Sequence, residues 1–137
     1  MLHKDGKIEL LKTVPLFSRC TKKQMGSIAN LADLIQVPAG TRLITEGAIG
    51  GEFMILVEGT GEVRRKGRKI DTLGPGDFIG EMALISGGRR NATVLTTSDV
   101  SLLAVAARQF WKLLEEAPEI QTSVLKALGE RLQSVAV

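Results

Sequence analysis

Histidine occurs once in this 137-residue sequence, as His3, and cysteine once, as Cys20. A metal site of two or three histidines cannot be assembled from one, which removes the usual metal-dependent phosphodiesterases from consideration. A single cysteine leaves no intrachain disulfide and no cysteine-rich zinc site. No Gly-x-x-x-x-Gly-Lys-Ser/Thr loop is present, so P-loop nucleotide hydrolysis is excluded. No Gly-x-Ser-x-Gly elbow is present, and no histidine is placed to activate Ser86 as a nucleophile. The reading is therefore of a protein that is not an enzyme. The longest nearly apolar runs, residues 53–57 and 100–107, fall far short of the ~20 residues that span a bilayer. The opening Met-Leu-His-Lys-Asp-Gly lacks the apolar core of a signal peptide. With the free thiol, this predicts a cytoplasmic location and no membrane contact by the chain itself.

What is there is ordinary globular material. Hydrophobic residues make up 44% and charged residues 24%, which argues against disorder over most of the length. The size is that of one domain, and no linker or repeat divides it. Eighteen basic residues against fifteen acidic ones leave a net charge of only +3. The basic residues are concentrated in Arg64-Arg65-Lys66-Gly67-Arg68-Lys69. A nucleic-acid patch is one reading of that run. No aromatic residue is interleaved to stack on bases, so a solvated hairpin turn is preferred and no direct DNA binding is expected.

The chain reads as helix, strands, helix, in segments 1–32, 33–107 and 108–137 of a single domain. Residues 5–12 fit a short helix with Ile8 and Leu11 inward and Leu10 as a further candidate, ended by Pro15. Thr21-Lys22-Lys23-Gln24 has capping-box form, and the helix after it places Met25, Ile28, Ala29 and Ala32 on one face. From Asp33 the texture changes to short β-rich runs between glycine and proline punctuation. Strands are predicted near 33–37, 41–45, 53–57, 61–66, 69–73, 77–79, 91–97 and 100–106. Eight short strands at this spacing predict a sandwich or barrel. Phe53-Met54-Ile55-Leu56-Val57 shows no alternation, so that strand is expected to be covered on both faces. After Ala107 the helical period returns, with Phe110, Trp111, Leu113 and Leu114. Pro118 then suits the first turn of a last helix striped by Ile120, Val124, Leu128, Leu132 and Val135.

Residues 80–93 interrupt the β texture. Glu81 to Ser86 fit a short helical segment behind Gly80, and Gly87-Gly88 break it. Unpaired backbone N–H groups at such a start suit phosphate, and Arg90 adds a planar fork that grips two phosphate oxygens. Glu81 is out of place in a plain anion site. An ionised carboxylate only accepts hydrogen bonds, so it makes sense if the ligand also carries hydroxyls. Together these residues point toward a ribose phosphate. A plainer reading stands beside it, in which Glu81 favours its own helix start and Arg90 is a surface arginine or an ion-pair partner.

Gly80-Glu81-Met82-Ala83-Leu84 followed by Arg90-Asn91-Ala92-Thr93 resembles the phosphate-binding cassette of cyclic-nucleotide-binding domains. These are the regulatory domains of bacterial catabolite activator proteins, cyclic-nucleotide-dependent kinases and nucleotide-gated channels. The resemblance extends through Val14-Pro15-Leu16-Phe17, Pro38-Ala39-Gly40, Glu46-Gly47, residues 53–59 and Leu73-Gly74-Pro75-Gly76-Asp77-Phe78 to the two closing helices. It implies a mainly β fold with flanking helices. The core would be an eight-stranded antiparallel β-roll, a jelly-roll-like double-stranded β-helix, with N-terminal helices and two C-terminal helices. It implies that Glu81 receives the ribose 2′-hydroxyl and Arg90 the cyclic phosphate of a nucleotide in its anti or syn form. Backbone N–H groups near Gly80, Met82, Asn91 and Ala92 would complete the site, and the last helix would close over the base. Arg131, Leu132 and Val135 are the candidates for that lid contact.

Two positions depart from the family pattern. Asn91 stands where Ala, Ser or Thr is usual, and since an amide both donates and accepts it leaves the base open. Cyclic AMP is preferred over cyclic GMP only because it is common among bacterial members. Arg89 stands where proline is frequent and is expected to face solvent. The expected function is a sensing module that shifts its last helix on binding and controls an effector, attached or in trans. The chain ends directly after that helix, which suggests a segment cut from a longer protein. The alternative is a nucleotide-free β-roll that serves as an interaction or homodimerisation module.

Overall fold

The structure, a computed structural model, describes residues 2–81 and 83–133, with the side chain of Arg131 outside that description. Met82 and Val135, both named above as candidates, lie outside the described residues. In chain order the elements are α1 (Lys4–Leu11), a 3-10 turn (Pro15–Phe17), α2 (Lys22–Ala29), β1 (Asp33–Val37), β2 (Arg42–Ile44), β3 (Glu52–Glu58), β4 (Gly61–Arg65), β5 (Arg68–Leu73), β6 (Phe78–Ile79), α3 (Ala83–Ser86), β7 (Thr93–Thr96), β8 (Val100–Ala106), α4 (Ala107–Glu116) and α5 (Pro118–Gln133). Contacts divide the chain into two units, the strands at 33–107 and the helical segments on either side of them in sequence. Among the described residues no helix is long and apolar enough to cross a membrane.

Among the described residues, the eight strands of the β unit form two four-stranded sheets, ordered β1-β8-β3-β6 and β2-β7-β4-β5. All pairings are antiparallel. This is the mainly β, jelly-roll-like architecture that the sequence implies. Alternation along the strands builds the core between the sheets. Met54 and Leu56 of β3 and Val100, Leu102 and Ala104 of β8 meet Ile44, Leu73 and Val94 of the other sheet. Residues of the opposite parity, Phe53, Ile55, Leu103 and Val105, are also fully buried, so β3 and β8 are covered on both faces. That double burial explains why residues 53–57 show no alternation.

In the helical unit, Thr21 caps α2. Its hydroxyl accepts the Gln24 N–H at 3.2 Å, and the Gln24 side chain accepts the Thr21 N–H at 3.0 Å. Met25, Ile28 and Ala29 are buried, as the helical period requires, and so is Ala32 beyond the helix end. Two details differ from the sequence reading. Helix α1 spans Lys4–Leu11, one residue earlier at each end than the expected 5–12, and it stops before Pro15 is reached. Lys12 caps it, and Pro15, whose ring presets φ, opens the 3-10 turn instead. The stripe on α5 also drifts. Ile120, Val124 and Ala127 are buried, Leu128 is half-buried, and Leu132 is 69% exposed. Steps of four residues overshoot the 3.6 that complete a turn, so a stripe built from them winds off the buried face.

Candidate functional site

The strands leave a cavity of about 380 Å³ inside the β unit. Gly80, Glu81, Arg89, Arg90, Asn91 and Ala92 line its polar side, and Ile44, Val63, Phe78, Ile79 and Val94 line its apolar side. The volume lies within the ~300–1,000 Å³ of small-molecule pockets. An apolar floor with a few convergent polar groups is the composition of a ligand site. The segment predicted to carry chemistry therefore gathers at one place, although its two ends are separated by α3 and Gly87-Gly88.

Glu81 is only 5% exposed, unusual for a carboxylate. It follows Gly80, whose φ of +80° lies in the left-handed region. The turn is tight, with Ala83 N–H on the Gly80 carbonyl at 3.0 Å and Leu84 N–H on the Glu81 carbonyl at 3.2 Å. Among the described residues the helical part is Ala83–Ser86, and Glu81 lies in the turn before it and not in the helix as predicted.

Arg90 is half-buried. Its main chain is clamped to the loop after β2, with its N–H on the Ala48 carbonyl at 2.7 Å and its carbonyl accepting the Gly47 N–H at 2.8 Å. The guanidinium donates through Nη2 to the Glu52 carbonyl. It lies against two glycines. A Cβ at Gly50 would come within 2.2 Å of Nε, and one at Gly80 within 2.2 Å of Nη1. Burial pushes the guanidinium down from its ordinary pKa, and the nearby Glu52 carboxylate pulls the other way. Arg90 also borders a second cavity of about 240 Å³ beside Thr45, Ala48 and Glu52.

Arg89 is exposed, as expected, but is not simply solvated, since Nη1 donates to the Gly47 carbonyl at 2.8 Å. Asn91 is exposed, and its carbonyl accepts a bond from Arg65 Nε at 2.9 Å. Ala92 is buried. Strand β7 begins only at Thr93, so the predicted strand 91–97 is too long at both ends. The lid candidates Arg131 and Leu132 lie on α5, in the helical unit. Sequence reasoning missed Gly50, Glu52 and Arg65. The Gly50-Gly51 pair was the one visible hint, and Arg65 was hidden inside the basic run.

Comparison with known proteins gives the family. Residues 34–117 match the family model described as "Cyclic nucleotide-binding domain". The chain belongs to that family. It is 37% identical over 123 residues to a cyclic nucleotide-gated potassium channel of Rhizobium etli, covering 90% of this chain and 34% of the channel. It is 34% identical over 119 residues to a cAMP-dependent protein kinase regulatory subunit of Schizosaccharomyces pombe, covering 86% of this chain and 29% of that one. Among solved structures, the N-terminal domain of a transcriptional regulator from Streptomyces coelicolor superposes with a TM-score of 0.81 at 28% identity, covering 91% of this chain and 90% of that one. The chain spans about a third of the length of these curated relatives.

Proposed function

We propose that the β unit binds a cyclic nucleotide, cyclic AMP in the first place, and that binding shifts α5 to control an effector domain or a partner protein in the cytosol. The carrying observation is that Glu81 and Arg90 line one cavity with an apolar floor. A carboxylate accepts from the ribose 2′-hydroxyl while the guanidinium grips the cyclic phosphate. Backbone N–H groups near Gly80, Met82, Asn91 and Ala92 complete the phosphate contacts. Phe78, Ile79 and Val94 offer apolar surface. The role is binding and signalling, with the nucleotide left unchanged. Cyclic AMP is favoured over cyclic GMP by the fungal relative, a cAMP-dependent protein kinase regulatory subunit. The channel among the relatives supports a regulatory role. For α5 to act as a switch, affinity must differ between its two positions, and Arg131, Leu132 and Val135 are the residues offered to the base.

A ligand of ~22 heavy atoms at about 0.3 kcal/mol per atom gives a Kd on the order of 10 μM. Calorimetric titration with cyclic AMP, cyclic GMP and 5′-AMP tests the reading. Saturable binding of a cyclic form, with 5′-AMP much weaker and no 5′-AMP produced, is the expected result. No heat from either cyclic form, once copurified ligand has been removed, would sink it.

One observation favours a second reading. Leu125 and Leu132, two turns apart on α5, are 61% and 69% exposed. A helix face of that kind suits a second copy of the chain, and sedimentation of the ligand-free protein decides between monomer and dimer.

A further inference from the structure

Arg65 closes β4, next to the turn of the basic hairpin, and its side chain leaves that hairpin to reach residues 89–93. Its Nε donates to the Asn91 carbonyl at 2.9 Å. Peptide units are planar and trans, and none among the described residues is cis. The Asn91 carbonyl and the Ala92 N–H belong to one unit and so point in opposite directions. By holding the carbonyl from the hairpin side, Arg65 sets the direction of that N–H. Ala92 lines the cavity with Arg90.

Two more bonds fasten the same edge. The Lys66 N–H donates to Glu46 Oε1 at 2.9 Å, and the Glu46 N–H donates to Thr93 Oγ1 at 3.0 Å. Arg90 is held from its other side by the main chain of Gly47 and Ala48. The segment is thus gripped from two directions, and on the hairpin side the grip at Asn91 is a single side chain.

We propose that Arg65 is a positioning residue for anion capture, which presents the Ala92 N–H to the ligand phosphate beside Arg90. This rests on the cyclic-nucleotide reading and adds a residue to it. The hairpin is then more than a solvated turn: Arg64 bonds within it, to Glu62 and the Gly67 carbonyl, while Arg65 reaches out of it to the Asn91 carbonyl.

Three variants separate the two kinds of action. Arg65→Gln keeps an N–H at the same position along the side chain and removes the charge. Arg65→Met keeps the length and removes both. Arg68→Met removes one charge directly across the hairpin. Calorimetry with cyclic AMP is done at about 150 mM salt, where exposed charges are screened beyond ~8 Å. Arg65→Met is expected to bind about ten-fold more weakly than the parent. Arg65→Gln should stay within about three-fold and Arg68→Met within about two-fold. Equal losses in Arg65→Met and Arg68→Met, or an Arg65→Gln as weak as Arg65→Met, would overturn the proposal in favour of general electrostatics. Amide exchange at Thr93, the first ladder residue of β7, in the ligand-free proteins gives a readout that needs no nucleotide. It should accelerate in Arg65→Met and not in Arg65→Gln, and unchanged exchange in Arg65→Met overturns the clamp. If the parent binds neither cyclic nucleotide, the cyclic-nucleotide reading fails on its own, and the exchange data alone decide the Arg65 bond.

Discussion

Arg90 holds a full positive charge where water reaches it only in part, resting on two glycines and one backbone carbonyl. A phosphate that met it would exchange little water for a strong paired contact. Arg90→Ala is therefore expected to weaken cyclic-nucleotide binding by roughly 100-fold, and Arg90→Lys by about 10-fold, since an ammonium offers a point charge in place of a fork. Gly80→Ala strikes the same group from below. Its methyl would stand 2.2 Å from Arg90 Nη1, in a left-handed conformation that costs an L-residue about 1–2 kcal/mol. It should lose both stability and affinity, which thermal melting and calorimetry would record together. Cys20 makes a different prediction. Burial pushes its thiol from 9.0 up to about 11. Only the thiolate is nucleophilic, so alkylation at pH 8 should be slow in the folded protein and fast in urea. Because the folded value lies above the unfolded one, its contribution to stability is present below pH 9 and fades as pH rises toward 11.

Among the elements, the hairpin between β4 and β5 carries an avoidable local strain. Lys66 and Gly67 both have positive φ, 52° and 78°, the pattern of a type I′ turn. Asparagine tolerates that first position far better than lysine. Lys66→Asn should raise stability by about 0.5–1 kcal/mol in chemical denaturation, and it keeps the backbone N–H that reaches Glu46. The strands were legible where local chemistry and tertiary pairing agreed. Asp33–Val37 and Val100–Ala106 stand where punctuation and β-branched runs put them. They blurred where a distant partner took a backbone group out of the ladder. Asn91 looks like strand in the sequence, but its carbonyl belongs to Arg65, which lies 26 positions away. The same limit applies at the site. Glu81 and Arg90 share one short motif and could be read together. Glu52 and Arg65 come to Arg90 and Asn91 only through the pairing of sheets, and no local pattern announces that.

At the scale of the whole molecule, ligand and charge effects separate cleanly. Cyclic nucleotide at ~100 times its Kd should stabilise the folded state by about 2.7 kcal/mol. For a chain of this size that is a rise in Tm of roughly 8 °C, and 5′-AMP at the same concentration should give far less. With a net charge of only +3, nonspecific attraction to nucleic acid is expected to be weak, which a binding assay across a salt series would check. Sheet order has a consequence of another kind. β8 lies between β1 and β3, so Asp33 pairs with Ala104 and Phe53 with Val105. The first strand of the β unit finds its neighbour only when the last has been made. During synthesis β1 waits with its hydrogen-bonding edge open until nearly the whole unit has left the ribosome. Refolding from denaturant must close that long loop before the sheet repays the lost chain entropy, which places the rate in the range of roughly milliseconds to seconds typical of such nonlocal β topologies.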